Sequence, residues 1–260
     1  MTTIEARLEG GVGRIVLDRP EVGNALDGTM VGEILSVLDE WEKDRSVRAL
    51  VLTGRGKVFS AGADLRNMKA MKEATPEENA REARATARVF SRLYRFPRPV
   101  VARVNGAARG GGVGLVAACD LAVAADAAHF AFTEVRLGIV PAMISPYVVR
   151  KIGFGAARRL FLTGETFDAA AARSLGLVDE VVPAEKLDER VEETLRNLLL
   201  GAPGAAGAVK ELLRVIDPTD WEAVEEKTAR LLAELRVGDE AQEGMAAFLE
   251  KRRPAWAPGS

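Results

Sequence analysis

Residues 100–120 read VVARVNGAARGGGVGLVAACD: a short apolar run, a glycine-rich turn and a longer run of small apolar residues. The first run, Val100–Val104, has the β-branched composition of a buried strand. The glycines at 110–112 open a helix that runs to about Cys119, and small residues there let another group approach the main chain closely. Unpaired N–H groups at such a helix start attract negative charge. The segment therefore predicts a strand–turn–helix unit whose turn offers backbone donors.

The same alternation continues on both sides of this unit. Strands and helices alternate over the first 180 residues, which indicates an α/β core. Residues 54–64 are predicted as a loop between two such elements. Roughly the last 70 residues are helical and more highly charged. We therefore expect an α/β core over residues 1–190 and a helical assembly region over residues 191–260.

Composition narrows the chemistry that this chain can perform. The 260 residues include 36 Lys and Arg, 38 Asp and Glu, one His and one Cys. One His and one Cys are too few ligands for a usual His/Cys zinc site, and a Ser-His-Asp nucleophile could use only His129. The near-neutral charge argues against a broad nucleic-acid-binding face. Because no signal peptide or bilayer-spanning apolar run is apparent, we expect a cytoplasmic protein without membrane contacts, whose chemistry falls to carboxylates and backbone groups.

Two further segments offer groups for catalysis. Residues 59–64 form a second glycine-rich turn, and N–H groups converging from the two turns would make an oxyanion hole. Tight packing of helix on strand would explain the same glycines equally well. Glu134 lies in a mostly apolar stretch after a predicted strand, where the pKa of a carboxyl rises toward the acid–base range. A surface glutamate paired with Arg136 or Lys151 is the alternative.

Taken together, the motifs resemble those of the crotonase superfamily, also called the enoyl-CoA hydratase/isomerase family. The resemblance covers nearly the whole chain and depends on the order and spacing of its segments. These segments are residues 18–20, 24–26, 59–64, 105–112, 119–120, 134, 137–138, 162–164, 176–178 and 248–252. The resemblance implies an α/β fold built as a crotonase-like spiral of ββα units, with a helical C-terminal trimerisation region.

The resemblance also implies a substrate and residue roles. Such proteins act on acyl-CoA thioesters as homotrimers, often paired into hexamers; coenzyme A is part of the substrate, and no separate cofactor or metal is implied. By position, the backbone N–H groups of Ala63 and Gly111 would bind the thioester oxygen, with Glu134 as the acid–base. The other implied substrate-binding positions are Ala61, Asp64 and Leu65 near the coenzyme, then Gly110, Gly114, Pro141 and Tyr147, and finally Phe248 and Lys251 toward a neighbouring subunit's coenzyme.

Gly114 departs from the family pattern, because hydratases of this family typically carry a first glutamate there. A single Glu134 suffices for adding water to a 2-enoyl-CoA if it serves both proton transfers, and equally for shuttling a proton between C2 and C4. The predicted function is therefore hydration of straight or branched 2-enoyl-CoA thioesters. The alternatives are a Δ3,Δ2-enoyl-CoA isomerase and a non-catalytic acyl-CoA-binding protein. Residues 112–115, 134–138 and 144–147 resemble a methylglutaconyl-CoA hydratase-like branch.

Basic side chains are also expected near the coenzyme. Many relatives carry Lys or Arg directly before Asn24, where this chain has Val and Gly at residues 22–23. Arg19, Arg66 or Lys251 would then supply the phosphate contact. Arg109 is expected to be a solvated loop residue, with a contact to an acidic acyl group as the alternative.

Overall fold

A computed structural model describes residues 1–215 and 220–255 of the chain. Within these residues the strands form two sheets, and the mixed α/β architecture confirms the predicted fold class. The strands are β1 (Ile4–Glu9), β2 (Val12–Leu17), β3 (Ala49–Gly54), β4 (Val58–Ser60), β5 (Val100–Val104), β6 (Ala107–Arg109), β7 (Leu121–Ala125), β8 (His129–Ala131), β9 (Thr166–Asp168) and β10 (Glu180–Val182).

The larger sheet has six strands in the order β1-β2-β3-β5-β7-β10. β1 pairs antiparallel with β2, and the other neighbours are parallel, so that Leu50 lies beside Val100 and Val101 beside Leu121. The inner strands β3, β5 and β7 consist mainly of Val, Leu and Ala, and most of their residues are buried. This composition is typical of parallel strands that are covered on both faces. This sheet forms the main core of the molecule.

The smaller sheet has four strands in the order β4-β6-β8-β9, each of three residues. β4 lies within residues 54–64, so the prediction of a loop there was wrong. A three-residue strand is too short to show a period in the sequence. β4, β6 and β8 run parallel, so their carboxyl ends meet at one edge of the sheet. Ala63, Gly111 and Glu134 follow these three ends closely.

Helices pack around both sheets. They are α1 (Gly28–Lys43), α2 (Leu65–Ala70), α3 (Pro76–Arg95), α4 (Gly111–Ala118), α5 (Ser145–Thr163), α6 (Ala169–Ser174), α7 (Leu187–Leu200), α8 (Pro203–Val215), α9 (Trp221–Arg236) and α10 (Asp239–Leu249). Side-chain caps set the starts of the first long ones. Asp27 accepts from Met30 N at 2.8 Å, and Thr75 with Glu78 forms a capping box on α3.

The C-terminal helices contact different parts of the core. α7 packs on the larger sheet, and α9 packs against α3. Arg236 of α9 is 2% exposed, and its guanidinium donates to Asn79 and Glu82 of α3. A buried arginine of this kind is tolerated only when its donors are satisfied. The network therefore fixes α9 on α3.

The predicted division of the chain at residue 190 stays a prediction. This boundary falls inside α7, which belongs to the core. Residues 216–219 and 256–260 of the predicted assembly region lie outside the described residues. In the part of the chain that is described, no helix combines the length and the hydropathy needed to cross a bilayer.

Candidate active site

The amide of Ala63 points away from its neighbouring segment. Leu26 and Ala63 form an isolated parallel bridge, in which Leu26 N donates to Gly62 O at 2.7 Å and Asp64 N donates to Leu26 O at 2.9 Å. Successive N–H groups of an extended chain point to opposite sides, so the N–H of Ala63 is directed away from Leu26. It has no acceptor among the described residues. It is therefore a free donor, and Ala63 lines a cavity.

The amide of Gly111 is a second free donor. Gly111 is the first residue of α4, and the first N–H groups of a helix have no intrahelical acceptor. The two glycine-rich turns touch here, because a Cβ atom on Gly62 would lie 2.5 Å from Arg109 O and 2.9 Å from Gly111 N. Gly62 also has φ +89°, a conformation that favours glycine. Ala63 and Gly111 thereby come to line the same cavity.

An ion-pair cluster holds the first turn in place. Arg19 donates to Ala25 O at 2.7 Å, and its guanidinium nitrogens lie 3.1 Å from Asp27 Oδ2 and 3.0 Å from Asp64 Oδ2. Asp64 also caps α2 by accepting from Arg66 N at 3.0 Å. Arg19 and the Asp64 carboxylate are thus engaged within the chain, beside Ala63. This argues against Arg19 as a free phosphate contact, and the coenzyme role of Asp64 stays a prediction.

Glu134 places an uncommitted carboxyl oxygen in the site. It begins a short 3-10 helix, Glu134–Leu137, shortly after β8. Its Oε2 is fully buried and has no hydrogen-bond partner among the described residues, and a Cβ atom on Gly110 would lie 3.1 Å from Oε1. Burial raises the pKa of Glu134 to about 7, although its own backbone N–H lowers it slightly. Arg136 and Lys151 instead donate to main-chain carbonyl oxygens, so they do not form the surface ion pair considered above.

The two amides and the carboxyl group line one cavity of about 50 Å³. Apart from Glu134, Thr86 is the one polar side chain among the described residues that line it, and none of them is cationic. The lining residues are Leu26, Ala63, Met68, Thr86, Phe90, Gly111, Glu134, Ile139, Val140, Pro141, Ala142, Met143, Ile144 and Leu232. Such a cavity suits a small hydrocarbon group that carries one oxygen acceptor.

The space beside Gly114 is closed by neighbouring side chains. A Cβ atom on Gly114 would lie 2.1 Å from Ile144 Cγ2 and 3.1 Å from Phe90 Cε1. Ile144 is 2% exposed and lines the cavity, whereas Gly114 does not. A carboxylate side chain at residue 114 therefore has no room in this packing. The site has one carboxylate, with an aliphatic side chain beside Gly114.

Two other predicted positions, six residues apart in sequence, differ in their surroundings. Pro141 lines the cavity. Tyr147 is buried in the core outside the cavity lining, with its ring centroid 6.3 Å from that of Phe90 and 5.5 Å from that of Tyr94. Burial raises the pKa of the Tyr147 hydroxyl. A direct contact of Tyr147 with substrate stays a prediction.

The remaining predicted positions lie outside this cavity. Ala61 is exposed, and Leu65 packs in a cluster with α10 residues. Phe248 is 59% exposed at the end of α10, and Lys251 is exposed with φ 55°. Their roles toward coenzyme A stay predictions. Arg109 is exposed, as expected for a solvated residue.

Sequence reasoning missed several walls of the cavity. Met68 of α2, Thr86 and Phe90 of α3, and Leu232 of α9 all line it, although they come from helices far apart in the chain. The strongly amphipathic pattern of α3 indicated that one face is buried, but not what the face contacts. Only the packing of α9 on α3 brings Leu232 to the site.

The comparisons with known proteins agree with this geometry. Residues 7–258 match the family model described as enoyl-CoA hydratase/isomerase. A protein of Thermus thermophilus that carries an enoyl-CoA hydratase assignment is 41% identical over 246 residues, covering 95% of this chain and 97% of that protein. The trans-2-decenoyl-[acyl-carrier-protein] isomerase of Streptococcus mutans is 31% identical, with 95% of each chain covered. A crystal structure of an enoyl-CoA hydratase from Shewanella pealeana superposes with a TM-score of 0.80 at 39% identity, covering 98% of this chain and 96% of that one. By its sequence, its fold and the arrangement of its glycine-rich turns, the chain belongs to the enoyl-CoA hydratase/isomerase family.

Proposed function

We propose that the protein is an enoyl-CoA hydratase that adds water to 2-enoyl-CoA thioesters with a short, apolar acyl group. The observation that carries this proposal is the buried carboxyl of Glu134, whose Oε2 has no hydrogen-bond partner among the described residues and which shares one apolar cavity with the free amides of Ala63 and Gly111. Coenzyme A is part of the substrate, and no further cofactor is needed. The Thermus relative with the hydratase assignment supports the same activity.

The two amides and the one carboxyl divide the reaction between them. The thioester oxygen accepts hydrogen bonds from Ala63 N and Gly111 N, which stabilise the negative charge that develops there; such a donor contributes about 2.7–4 kcal/mol in other enzymes. Ionised Glu134 takes a proton from water while the water oxygen adds to C3. The resulting enolate then takes that proton from Glu134 at C2. A pKa of about 7 suits a group that must act as a base and then as an acid near neutral pH.

The cavity lining favours a hydrocarbon acyl group. A methylglutaconyl group ends in a second carboxylate, and burying this charge without a cation is costly. The described residues that line the cavity supply no cation. We therefore expect crotonyl-CoA to be a better substrate than methylglutaconyl-CoA. The lack of a cation in the described lining thus disfavours the substrate that the methylglutaconyl-CoA hydratase-like branch would suggest.

A Δ3,Δ2-enoyl-CoA isomerase is the second candidate. Ile144 closes the space beside Gly114, so the site offers a single carboxylate, and one carboxylate is enough to move a proton between C2 and C4. The isomerase of Streptococcus mutans shows that related chains of this family carry an isomerase name. Conversion of a 3-enoyl-CoA to a 2-enoyl-CoA without formation of the hydroxyacyl product would favour this candidate.

The decisive experiment is a product assay with a panel of thioesters. The purified protein is incubated with crotonyl-CoA, methylglutaconyl-CoA and a 3-enoyl-CoA, and the products are identified by mass spectrometry. We expect hydration of crotonyl-CoA and a fall in kcat of about 10²–10⁴-fold in Glu134→Gln, since proton transfer by a placed side chain contributes about that much. Glu9→Gln, an exposed glutamate at the end of β1, is the matched control. Binding of the thioesters without turnover of any of them would instead support the non-catalytic alternative.

Assembly into a homotrimer or hexamer belongs to the same proposal. Val209, Leu212 and Leu213 of α8 are each more than half exposed, and the two leucines follow Val209 by three and four residues, so they share one helical face with it. An apolar patch of this kind is typical of an interaction surface. Light scattering should give the mass of three or six chains, whereas a monomer would contradict the assembly.

A further inference from the structure

The side chain of Ile144 occupies the space that a side chain at residue 114 would fill. Its Cγ2 atom lies only 2.1 Å from the position of a Cβ atom on Gly114, and its Cβ atom lies 2.8 Å away. Ile144 and Phe90 both line the cavity and both border the space beside Gly114, whereas Gly114 does not line the cavity, and Ile144 makes the closer approach to that space. Removal of the Ile144 side chain would therefore open a lobe, bounded by Gly114 and Phe90, that is continuous with the cavity.

The position of this lobe relative to the reacting atoms follows from the geometry of α4. Gly111 and Gly114 are three residues apart, and an α-helix rises about 1.5 Å per residue, so they are separated by about 4.5 Å along the helix axis. When the thioester oxygen is bound at Gly111 N, the first few acyl carbons extend from that oxygen over a length comparable to this separation, within the cavity that Ile144 also lines. The lobe therefore lies beside the carbons nearest the thioester and not beside the far end of a long chain.

We propose that Ile144 sets substrate selectivity by excluding a methyl branch near C3, which makes the protein selective for unbranched acyl groups. This inference rests on the proposed function, since it assumes that an acyl thioester occupies the cavity. The lining at this point is aliphatic and aromatic, from Ile144 and Phe90, so the exclusion is steric and involves no charge. Gly114 has no side chain to fill this space, and the side chain of Ile144 occupies it.

The experiment compares an unbranched and a branched thioester across variants of Ile144. The measured quantity is the ratio of kcat/KM for 3-methylcrotonyl-CoA to that for crotonyl-CoA, because the intrinsic difference in reactivity cancels when variants are compared. We expect Ile144→Ala to raise this ratio by about tenfold or more, since one methyl group in a tight pocket changes specificity by about 10–200-fold. Ile144→Val keeps the branch next to Gly114 and should leave the ratio nearly unchanged.

Ile34→Ala is the matched control for general loosening of the core. Ile34 is fully buried in α1 and does not line the cavity, and its truncation removes the same atoms. We expect it to lower stability without changing the ratio. An equal rise in Ile34→Ala, or no rise in Ile144→Ala, overturns the role of Ile144.

A binding measurement keeps the inference separate from the proposed function. Butanoyl-CoA and 3-methylbutanoyl-CoA are saturated, so their dissociation constants do not depend on turnover. If the wild type hydrates neither enoyl thioester but Ile144→Ala still narrows the difference in affinity between the saturated pair, the proposed function fails and the inference stands. If the wild type hydrates crotonyl-CoA, and Ile144→Ala changes neither the ratio of kcat/KM values nor the ratio of the two dissociation constants, the inference alone fails.

Discussion

The six-stranded and the four-stranded sheet both bury side chains in the core, but they differ in their position relative to the glycine-rich turns of the site. In the larger sheet, side chains of β3, β5 and β7 fill the core on both faces. Beside the smaller sheet, main-chain segments touch directly at glycines on either side of β6: a Cβ atom on Gly106 would lie 2.0 Å from Lys57 O, and one on Gly112 would lie 2.3 Å from Ser60 O. The comparison indicates that side-chain burial supplies stability in both sheets, while close backbone contacts beside the smaller sheet set the geometry of the site.

The largest effect is expected from Gly62→Ala in the turn that follows β4. The new Cβ atom would lie 2.5 Å from Arg109 O and 2.9 Å from Gly111 N, and φ is +89°. The turns must separate, which displaces both donor amides. We expect kcat/KM for crotonyl-CoA to fall by about 10²–10³-fold, the cost of losing one such donor. Steady-state kinetics on folded protein measures this, and unchanged kinetics would show that the contact does not position the amides.

The next effect concerns the pH dependence of stability. The pKa of Glu134 is raised, so the folded protein binds this proton more tightly than the unfolded chain. Between pH 4.5 and about 7 the unfolded chain is ionised at this residue while the folded protein is not, so this group lowers stability as pH rises through that window. The rise in pKa from 4.5 to about 7 limits the loss of folding stability caused by this group to about 3 kcal/mol at most.

Glu134→Gln removes this contribution. Its free energy of unfolding, relative to the wild type, should therefore increase between about pH 5 and pH 8. Urea unfolding at the two pH values measures the difference, with Glu9→Gln as the control that should show little change. A constant difference between variant and wild type would mean that Glu134 is not desolvated.

The same pKa predicts a pH dependence of activity. In the wild type, kcat/KM should decrease as the pH is lowered below about 7, because the base must be ionised.

The same contrast explains what the sequence could predict. Val100–Val104 was predicted with the bounds that the structure shows, because a buried parallel strand is a nearly continuous apolar run in which β-branched residues are common. β4, β6 and β9 have three residues each, and their pairing depends on contacts distant in the chain, which local patterns do not reveal.

The site divides in a similar way. Glu134 was identified from its apolar neighbours in sequence, and the structure gives it a buried, unpartnered oxygen. Leu232 was missed because it reaches the cavity only when α9 folds onto α3, and Thr86 was missed because the pattern of α3 does not show what its buried face contacts. The filling of the space beside Gly114 by Ile144 also could not be predicted, since it depends on how the start of α5 packs on α4.

A smaller effect, on stability alone, is expected from Val101→Ala in the larger sheet. Val101 is fully buried in β5, on the face that α7 covers. Its truncation removes two methyl groups from the core, which costs about 2 kcal/mol. Denaturant unfolding should show this loss, while kcat/KM at 25 °C stays within about twofold. A comparable loss of activity would mean that the larger sheet also sets the geometry of the site.

The smallest effect is expected from Gly32→Ala, the same chemical change as Gly62→Ala at a site without a backbone contact. Gly32 lies on the exposed face of α1, and a Cβ atom there would meet no atom within 4 Å. Alanine is favoured over glycine within a helix, so unfolding should become harder by about 0.5–1 kcal/mol with unchanged kinetics. A fall in kcat/KM in Gly62→Ala, beside unchanged kinetics in Gly32→Ala, would show that the low tolerance at Gly62 comes from the contact between the turns. A loss of stability in Gly32→Ala would break the comparison, because added volume alone would then be harmful outside the smaller sheet as well.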